Sequence, residues 1–339
     1  MISRRTALNT AIAAGLVAAS PPANAMLSGR QRHTLNAAYV GLTTSNRTAF
    51  ETFLGRRLDG CQTGSGNVSI ADYTSSIQFS LRSPQVGFDG AYKPLLLTMS
   101  MFCEPGNGYG NESLANVASG ACSYDTLWAT NAAFILSTRS DPVIHVRFGE
   151  EFNSNFSNKA WRCVVPGDPA TTAANFASFV LCYQRMVSVY RANDPTGRFR
   201  FCWCPTWSLP GQPWNSDCYL GYPGDAYVDV WGMDVYYSVS GSGMNADPTT
   251  AFNTLRDASR GLAWLETTAA AHGKPTCYWE WGITQLSNGA TSFITLMASW
   301  FRSHAPLFHG FWDQVGASYQ ISNGQYPLDG AAYIAAFGP

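Results

Sequence analysis

The feature that most constrains this chain is the alternation of short apolar runs with longer segments of helical periodicity. Such alternation is typical of a parallel sheet whose strands are joined by helices. It predicts strands at 37–42, within 60–71, and at 94–101, 143–149, 199–204, 228–235, 275–280 and 307–312. It predicts helices at 47–57, with Asn46 as cap, and at 125–140, 173–193, 249–272 and 292–304. Eight strands in one domain-sized length favour a closed (β/α)8 barrel.

The structural alternative is an open Rossmann-type sheet, but no Gly-x-Gly-x-x-Gly follows the first strand. Repeats, linkers and low-complexity tracts are not evident, so residues 26–339 are interpreted as one domain. The segment 205–227 is rich in Gly, Pro and Trp and predicts a long loop after the fifth strand.

The first 25 residues have the pattern of an export signal. Arg4 and Arg5 precede an Ala-rich stretch, and Ala23-Asn24-Ala25 forms a small-x-small cleavage pattern. The arginine pair resembles a twin-arginine signal. We therefore expect a secreted or periplasmic protein, with no membrane span after residue 25 because no later run reaches about 18 apolar residues.

The charge balance of the chain bears on which binding partners can be expected. Two of the 21 basic residues lie within 1–25, which hold no acidic residue, so the remainder carries 22 acidic against 19 basic side chains. This balance gives no reason to expect nucleic acid as partner, and no coiled-coil pattern requires a second copy, so a monomer is expected.

Of nine cysteines, Cys103 and Cys122 flank a loop and are candidate disulfide partners, while Cys202 and Cys204 are expected to be buried in a strand. No spacing indicates a metal site, and we expect no metal and no cofactor.

Two glutamates follow the predicted fourth and seventh strands, at the barrel end where active sites lie. Side-chain alternation places Arg147 on the face of Glu151, pointing into the barrel mouth. Glu280 ends the seventh strand. Two carboxylates facing each other across a barrel mouth are what retaining glycoside hydrolysis requires, at a separation of about 5 to 5.5 Å. Glu150 is the alternative to Glu151. A further alternative is that Glu151 and Glu280 are both ordinary surface or salt-bridged residues.

Three ordered segments carry a family resemblance. Residues 147–153 resemble the Arg-x-x-His-Glu-x-Asn segment of glycoside hydrolase family 26, a mannanase-containing family of the large (β/α)8 glycoside hydrolase clan. Residues 223–236 are similar to its strand-six motif, and 274–282 to its nucleophile strand, Lys-Pro followed by Glu-x-Gly. Residues 50–56 match its first helix loosely.

The resemblance implies a role for each matching residue. Glu151 takes the position of the acid/base, Glu280 that of the nucleophile, and Tyr236 that of a tyrosine that hydrogen-bonds the nucleophile. Arg147 would be a positive neighbour and Asn153 a contact to a sugar hydroxyl. In each case the alternative is structural: an ion pair for Arg147, or space filling for Tyr236.

Two departures affect the substrate. The family's histidine before the acid/base is Glu150 here, and the aromatic-rich run after it becomes 153–156, Asn-Ser-Asn-Phe. Sugar rings stack on flat aromatic side chains, and the candidate platforms are Trp207, Trp214, Trp281 and Trp312, of which Trp312 ends the eighth strand.

The sequence thus predicts a retaining hydrolase of a β-mannan-like or other β-1,4-linked polysaccharide. A hydrolase of a bacterial exopolysaccharide is the alternative within the same class. A catalytically silent carbohydrate-binding barrel is the alternative of another class, and the presence of both Glu151 and Glu280 argues against it. A serine hydrolase is disfavoured because the chain lacks a Gly-x-Ser-x-Gly elbow.

Overall fold

Eight parallel strands lie side by side in one sheet that curves into a barrel. The structure is a computed structural model that describes residues 34–41, 43–82, 94–208, 216–237, 247–283 and 289–339. The strands, β1 to β8, are Leu35–Tyr39, Cys61–Gly64, Leu95–Met99, Ile144–Phe148, Phe199–Trp203, Val230–Tyr237, Thr276–Ile283 and Phe308–Trp312. Neighbours are hydrogen-bonded from β2 through to β8, and β8 pairs with β1. At the remaining junction the Asp59 amide, just before β2, donates to the Asn36 carbonyl of β1 over 2.9 Å. The predicted (β/α)8 barrel is confirmed, and the open Rossmann-type sheet is excluded.

Helices surround the barrel. They are, as α1 to α9, Thr44–Leu54, Ile70–Arg82, Leu114–Ser119, Asp125–Thr138, Pro169–Ala192, Pro248–Asp257, Leu262–Ala271, Thr291–His304 and Pro327–Phe337. The prediction of Asn46 as the cap of α1 is wrong, because Thr43 is the cap and accepts the Asn46 amide at 3.2 Å. No helix among the described residues combines the length and apolarity that crossing a bilayer demands.

The predicted helix 249–272 is in fact two helices, α6 and α7. The chain turns between them at Gly261, where an added Cβ would lie 2.0 Å from the Leu255 carbonyl oxygen. Only glycine fits this close approach of backbone to backbone. Within the predicted loop 205–227, of which 205–208 and 216–227 are described, a 3-10 turn lies at Cys218–Gly221.

The core has two layers that follow the alternation of the strands. Val230 of β6 faces the barrel interior, in a small cluster with Cys202 and Cys204. Trp231 and Met233 face outward into the larger cluster between barrel and helices. Residues of β6 therefore alternate between the barrel interior and the outer layer, and inward side chains near the strand ends are left to form the barrel mouth.

The cysteine side chains that the structure describes form no disulfide. Eight of them are free and buried, so the predicted Cys103–Cys122 disulfide is not formed. The Cys122 thiol instead lies 3.9 Å from the Glu112 carboxylate. The predicted burial of Cys202 and Cys204 is confirmed.

Candidate active site

A cavity of about 520 Å³ opens at the carboxyl ends of the strands. Its floor and walls come from strand ends on opposite sides of the barrel, with Thr98 from β3 and Trp312 from β8. Arg147, Glu151 and Glu280 line the same cavity. The barrel therefore brings the two predicted glutamates to one mouth, although β5 and β6 lie between their strands.

A tight turn after β4 aims Glu151 into this cavity. β4 ends at Phe148, and Gly149 and Glu151 both adopt left-handed backbone conformations, with φ of 56° and 54°. Such a conformation in a non-glycine residue costs about 1–3 kcal/mol and is concentrated at functional sites. The turn is held by hydrogen bonds from the Glu151 amide to the Cys204 carbonyl at 3.1 Å and from the Ser154 hydroxyl to the Glu151 carbonyl at 2.7 Å.

The turn also changes which side chains face the cavity. Strand alternation would place Glu150 and Glu151 on opposite faces, but both line the cavity because the chain is no longer extended there. Arg147, within β4, does point inward as alternation predicts.

An irregularity in β7 aims Glu280 inward. Between two paired positions, β6 advances from Gly232 to Asp234 while β7 advances from Cys277 to Glu280, so β7 carries one extra residue. Such a bulge re-aims the side chains that follow it. Trp279 fills the barrel interior, and the next residue, Glu280, also points inward to the cavity.

Arg147 links the carboxylates of two strands. Its Nη1 donates to Asp234 Oδ2 at 2.6 Å, and its Nη2 donates to Glu280 Oε1. Thr98 Oγ1 accepts from the same guanidinium at 3.1 and 2.9 Å. The Tyr236 hydroxyl donates to Glu280 Oε2 at 2.7 Å. Both oxygens of Glu280 are therefore held by donors, an arrangement that favours the ionised carboxylate and fixes its orientation.

The two glutamates differ in their acidity. Burial raises the pKa of Glu151 to about 7, with Lys159 opposing this shift and Glu280 adding to it. Burial alone would also raise the pKa of Glu280, but Arg147, Lys159 and the hydrogen bond from Tyr236 hold that pKa below its ordinary value. Near pH 6 Glu151 is thus largely protonated and Glu280 ionised, the division of labour that acid and nucleophile require.

Three carboxyl groups of the site lie close together. Glu151, Asp234 and Glu280 each offer an oxygen, and these atoms lie within 4.8 Å of one another. Arg147 bonds to two of the three. A metal ion bound by this group would compete with the guanidinium, so the geometry fits an ion-paired carboxylate cluster.

A second ion pair stands beside Glu151. The Lys159 ammonium lies 2.6 Å from Glu150 Oε1 and 3.7 Å from Glu151 Oε2. Glu150 Oε2 is buried and has no hydrogen-bond partner among the residues that the structure describes. The position that departs from the family pattern therefore belongs to the cavity.

Aromatic rings form one wall of the cavity. The rings of Tyr39 and Trp312 are stacked, with centroids 4.2 Å apart, and Trp312 Nε1 donates to the Tyr319 hydroxyl at 3.0 Å. All three residues line the cavity. The structure thus places Trp312 where a sugar ring could meet it.

Asn153 does not reach the cavity. Its Nδ2 donates to the Thr206 carbonyl and the Ser208 hydroxyl, each at 2.9 Å, and its Oδ1 accepts the Thr206 amide at 3.0 Å. The side chain is fully buried. The prediction of a sugar contact is wrong, because the amide ties together the two loops that follow β4 and β5.

The other tryptophan predictions also change. Trp281 is fully buried on the helix side of β7, where its Nε1 donates to His309 Nδ1 at 3.1 Å. It follows Glu280 and takes the opposite face, so it is not a sugar platform. Trp207 is buried in the outer core, and Trp214 lies outside the described residues.

Several residues in or beside the cavity were not predicted. Asp234 is inward by alternation, but only the tertiary structure shows that it shares Arg147 with Glu280. Lys159 lies in a loop without periodicity, and Tyr39 and Tyr319 come from opposite ends of the chain. The available signal was a polar residue on the inward face of the strand predicted at 228–235, and it pointed to Asp234, because Asp229 takes the opposite face.

Known structures share this fold. The chain aligns with the YdhT protein of Bacillus subtilis at a TM-score of 0.59 and 13% identity, over 88% of this chain and 85% of that one. The catalytic domain of a GH26 endo-β-1,4-mannanase from Bacillus sp. JAMB-750 aligns at 0.59 and 17%, over 91% and 87%. A modular endo-β-1,4-mannanase from Cellulomonas fimi aligns at 0.57 and 19%, over 89% and 70%.

Sequence comparisons add no closer relative, since no family model and no curated protein matches the chain. At identities below 20% the structural likeness concerns the fold. The resemblance to glycoside hydrolase family 26 that three sequence segments indicated is thus matched by the fold of the whole barrel: this chain has the architecture of the GH26 mannanases.

Proposed function

We propose that this protein is a retaining glycoside hydrolase that cleaves β-glycosidic bonds with Glu151 as acid/base and Glu280 as nucleophile. The separation of the two carboxyl groups carries the proposal. Their nearest oxygens lie within 4.8 Å, close to the spacing of about 5 to 5.5 Å in retaining enzymes and well short of the 6.5 Å or more that inverting enzymes need for a water.

The protonation states support the same assignment. In the first step a Glu280 oxygen attacks the anomeric carbon while Glu151 gives its proton to the leaving oxygen. In the second step Glu151 takes a proton from the water that displaces Glu280. Glu151, with its pKa raised to about 7 by burial, starts protonated. Glu280, with its pKa lowered despite burial, starts ionised.

Neighbouring residues prepare the nucleophile. Arg147 and Tyr236 each donate to a different oxygen of Glu280. These bonds keep the carboxylate from rotating, and they weaken when its charge passes into the glycosyl ester. In the second step the charge returns to Glu280, and these preorganised donors stabilise it without reorganisation.

A β-mannan-like or other β-1,4-linked glycan is the proposed substrate. Two of the structures that share this fold are described as endo-β-1,4-mannanases, and the stacked Tyr39–Trp312 wall offers an apolar face to a pyranose ring. Glu150, in place of the family's histidine, alters the surface beside the acid/base. A bacterial exopolysaccharide is therefore tested alongside mannans.

The experiment measures new reducing ends released from mannans, glucans, xylans and bacterial exopolysaccharides. We expect one polymer to be cut by the parent protein, with rates lowered by about 10²- to 10⁴-fold in Glu151→Gln, as for loss of a general acid, and abolished in Glu280→Ala. Glu266→Gln is the matched control, because Glu266 accepts from Tyr278 at 2.7 Å on the helix side of β7.

The outcomes separate the alternatives. Undiminished release by a correctly folded Glu280→Ala variant would refute the nucleophile assignment. Binding of a glycan by the parent protein without cleavage would identify a silent carbohydrate-binding barrel. Retention is checked by NMR of the first product, and an inverted anomer would refute the double-displacement mechanism.

Export by the twin-arginine route is also proposed. It rests on Arg4, Arg5 and the cleavage pattern at 23–25, which lie outside the described residues. Mass spectrometry of the protein recovered from outside the cytoplasm should show an N-terminus at Met26. A processed species that still forms in an Arg4→Lys, Arg5→Lys variant would refute the route. The expectation of a monomer remains a prediction for light scattering.

A further inference from the structure

The Glu150–Lys159 pair lies at the edge of the catalytic cavity, next to the residue assigned as the acid/base. Its nitrogen and oxygen are 2.6 Å apart, and both side chains are largely buried, at 14% and 9% exposure. The loop that carries Lys159 is anchored to the same turn, since Trp161 Nε1 donates to the Glu150 carbonyl at 2.9 Å. Lys159 is thereby held in a defined position relative to Glu151.

The distance from Lys159 to Glu151 decides what this lysine can do. At 3.7 Å from Glu151 Oε2, the ammonium attracts the carboxylate but is too far for a normal hydrogen bond. It therefore leaves that oxygen free to hold a proton and to give it to a glycosidic oxygen. Direct pairing is taken up by Glu150 instead.

Charged and titratable groups on β4, β6, β7 and the loop after β4 lie around Glu151. They are Arg147 and Glu150 from β4 and its turn, Lys159 from the following loop, Asp234 and Tyr236 from β6, and Glu280 from β7. Arg147 is committed to Asp234 and Glu280. Lys159 therefore is the cation that contacts Glu151, with 3.7 Å between its ammonium and Glu151 Oε2.

We propose that Lys159, held by Glu150, is a positioning residue that stabilises the ionised form of Glu151 whenever this residue has given up its proton. The inference rests on the proposed function and deepens it. In the first step the bond from the anomeric carbon to the leaving oxygen breaks, a Glu280 oxygen bonds to that carbon, and the Glu151 proton moves to the leaving oxygen. The carboxylate formed on Glu151 then faces the Lys159 ammonium.

The second step uses the same interaction. The oxygen of a water bonds to the anomeric carbon, the bond to Glu280 breaks, and the water's proton returns to Glu151. Glu150 limits the effect of Lys159, because its own negative charge disfavours the ionised form of Glu151. The two charges therefore act on the pKa of Glu151 in opposite directions and limit how far it departs from the working pH, near which an acid that must also act as a base works best.

The two members of the pair have opposite effects on Glu151, which makes the inference testable. Removing Lys159 should raise the pKa of Glu151 by about 1 to 3 pH units, the range for loss of an opposite charge at this distance. Removing the Glu150 charge should lower the same pKa. A merely structural role of the pair would not produce shifts of opposite sign.

The test is a ¹³C NMR titration of the purified protein labelled at the glutamate carboxyl carbons. The Glu151 signal is assigned by its loss in Glu151→Gln. The variants are Lys159→Met, Glu150→Gln and the conservative Lys159→Arg, which should keep the parent pKa within about half a unit because it retains the charge. Lys274→Met is the control, since Lys274 contacts the Asp225 carbonyl outside the cavity.

We expect an upward shift in Lys159→Met and a downward shift in Glu150→Gln, with the basic limb of the pH–rate profile moving in the same directions. An unchanged Glu151 pKa in Lys159→Met, or equal shifts in Lys159→Met and Lys274→Met, would overturn the inference. If Lys159→Met does not fold, a Glu151 pKa in Glu150→Gln that is unchanged or raised would overturn it. The titration needs no substrate, so absence of glycan cleavage would refute the proposed function without affecting this result.

Discussion

Replacement of Arg147 by methionine should destabilise the protein in a pH-dependent way. The change leaves Asp234 and Glu280 in a dry site, with carboxylate oxygens within 4.8 Å and no guanidinium between them. At an effective dielectric constant near 20, two such charges repel by about 3 kcal/mol, an upper bound because burial already raises the pKa of Asp234. Breaking a buried ion pair by removing one partner costs about 3–5 kcal/mol in general. We therefore expect the free energy of unfolding to fall by about 3–5 kcal/mol at pH 8.

The pH dependence follows from the pKa of Glu280. In the parent protein this pKa lies below its ordinary value, so Glu280 contributes stability that is present above the unfolded-state pKa and lost as pH falls through the folded one. In Arg147→Met burial dominates and the pKa is raised, so the contribution changes sign. At pH 4, where the carboxyl groups take up protons, the loss should shrink to about 1–2 kcal/mol, the cost of the hydrogen bonds to Thr98.

Urea unfolding followed by tryptophan fluorescence at pH 4 and pH 8 measures both values. Arg139→Met is the matched control, because Arg139 forms a buried pair with Asp141 at 2.7 Å and neither residue lines the cavity. This control should lose stability while retaining the parent kcat. An equal loss for Arg147→Met at the two pH values would refute the electrostatic reasoning and leave only a packing effect.

Three further changes test other parts of the site and barrel. Tyr236→Phe removes the 2.7 Å hydrogen bond to Glu280, so kcat/KM should fall about 10- to 100-fold, as for one hydrogen bond to a charged group. The acidic limb of the pH–rate profile should move to higher pH, and an unmoved limb would contradict this role of Tyr236. Burial lowers the pKa of His145 to about 4, so the parent should lose about 3 kcal/mol of stability as pH falls from 6.5 to 4. His145→Phe should abolish that loss in urea titrations. A variant as acid-sensitive as the parent would show that another group is responsible. Gly149→Ala should cost about 1–3 kcal/mol, since φ is 56° and the new methyl would lie 2.4 Å from Met101 Sδ; a variant with the parent Tm and kcat would show that the turn adapts.

Local patterns predicted the barrel because each strand shows its own signal. The strands at 199–203 and 308–312, for example, begin at or within one residue of their predicted starts. The helices α2 and α9 were not predicted, although both are regular elements of the outer layer. The helix predicted across 249–272 failed for a local reason, the close approach at Gly261, which depends on how two helices meet.

The site was predicted in part, and the errors follow from rules applied beyond their range. Alternation holds within β4 and correctly turned Arg147 inward, but it ends with the strand, so it could not place Glu150 in the cavity. A motif match suggested a sugar contact for Asn153, whereas its amide is used entirely between two loops. Trp281 is adjacent to Glu280 in sequence and on the opposite side of the strand.

The sequence by itself determined the order of the strands, the inward faces of β4 and β6, and the strand ends that carry Glu151 and Glu280. These properties depend on residues close together in the chain, because periodicity and turn chemistry act over a few positions. Only the tertiary structure decided the approach of the two carboxyl groups, their opposite pKa shifts and the placement of Lys159. Each of these depends on contacts between strands far apart in sequence, on a bulge in β7 set by its pairing with β6, and on burial that exists only once the barrel has closed.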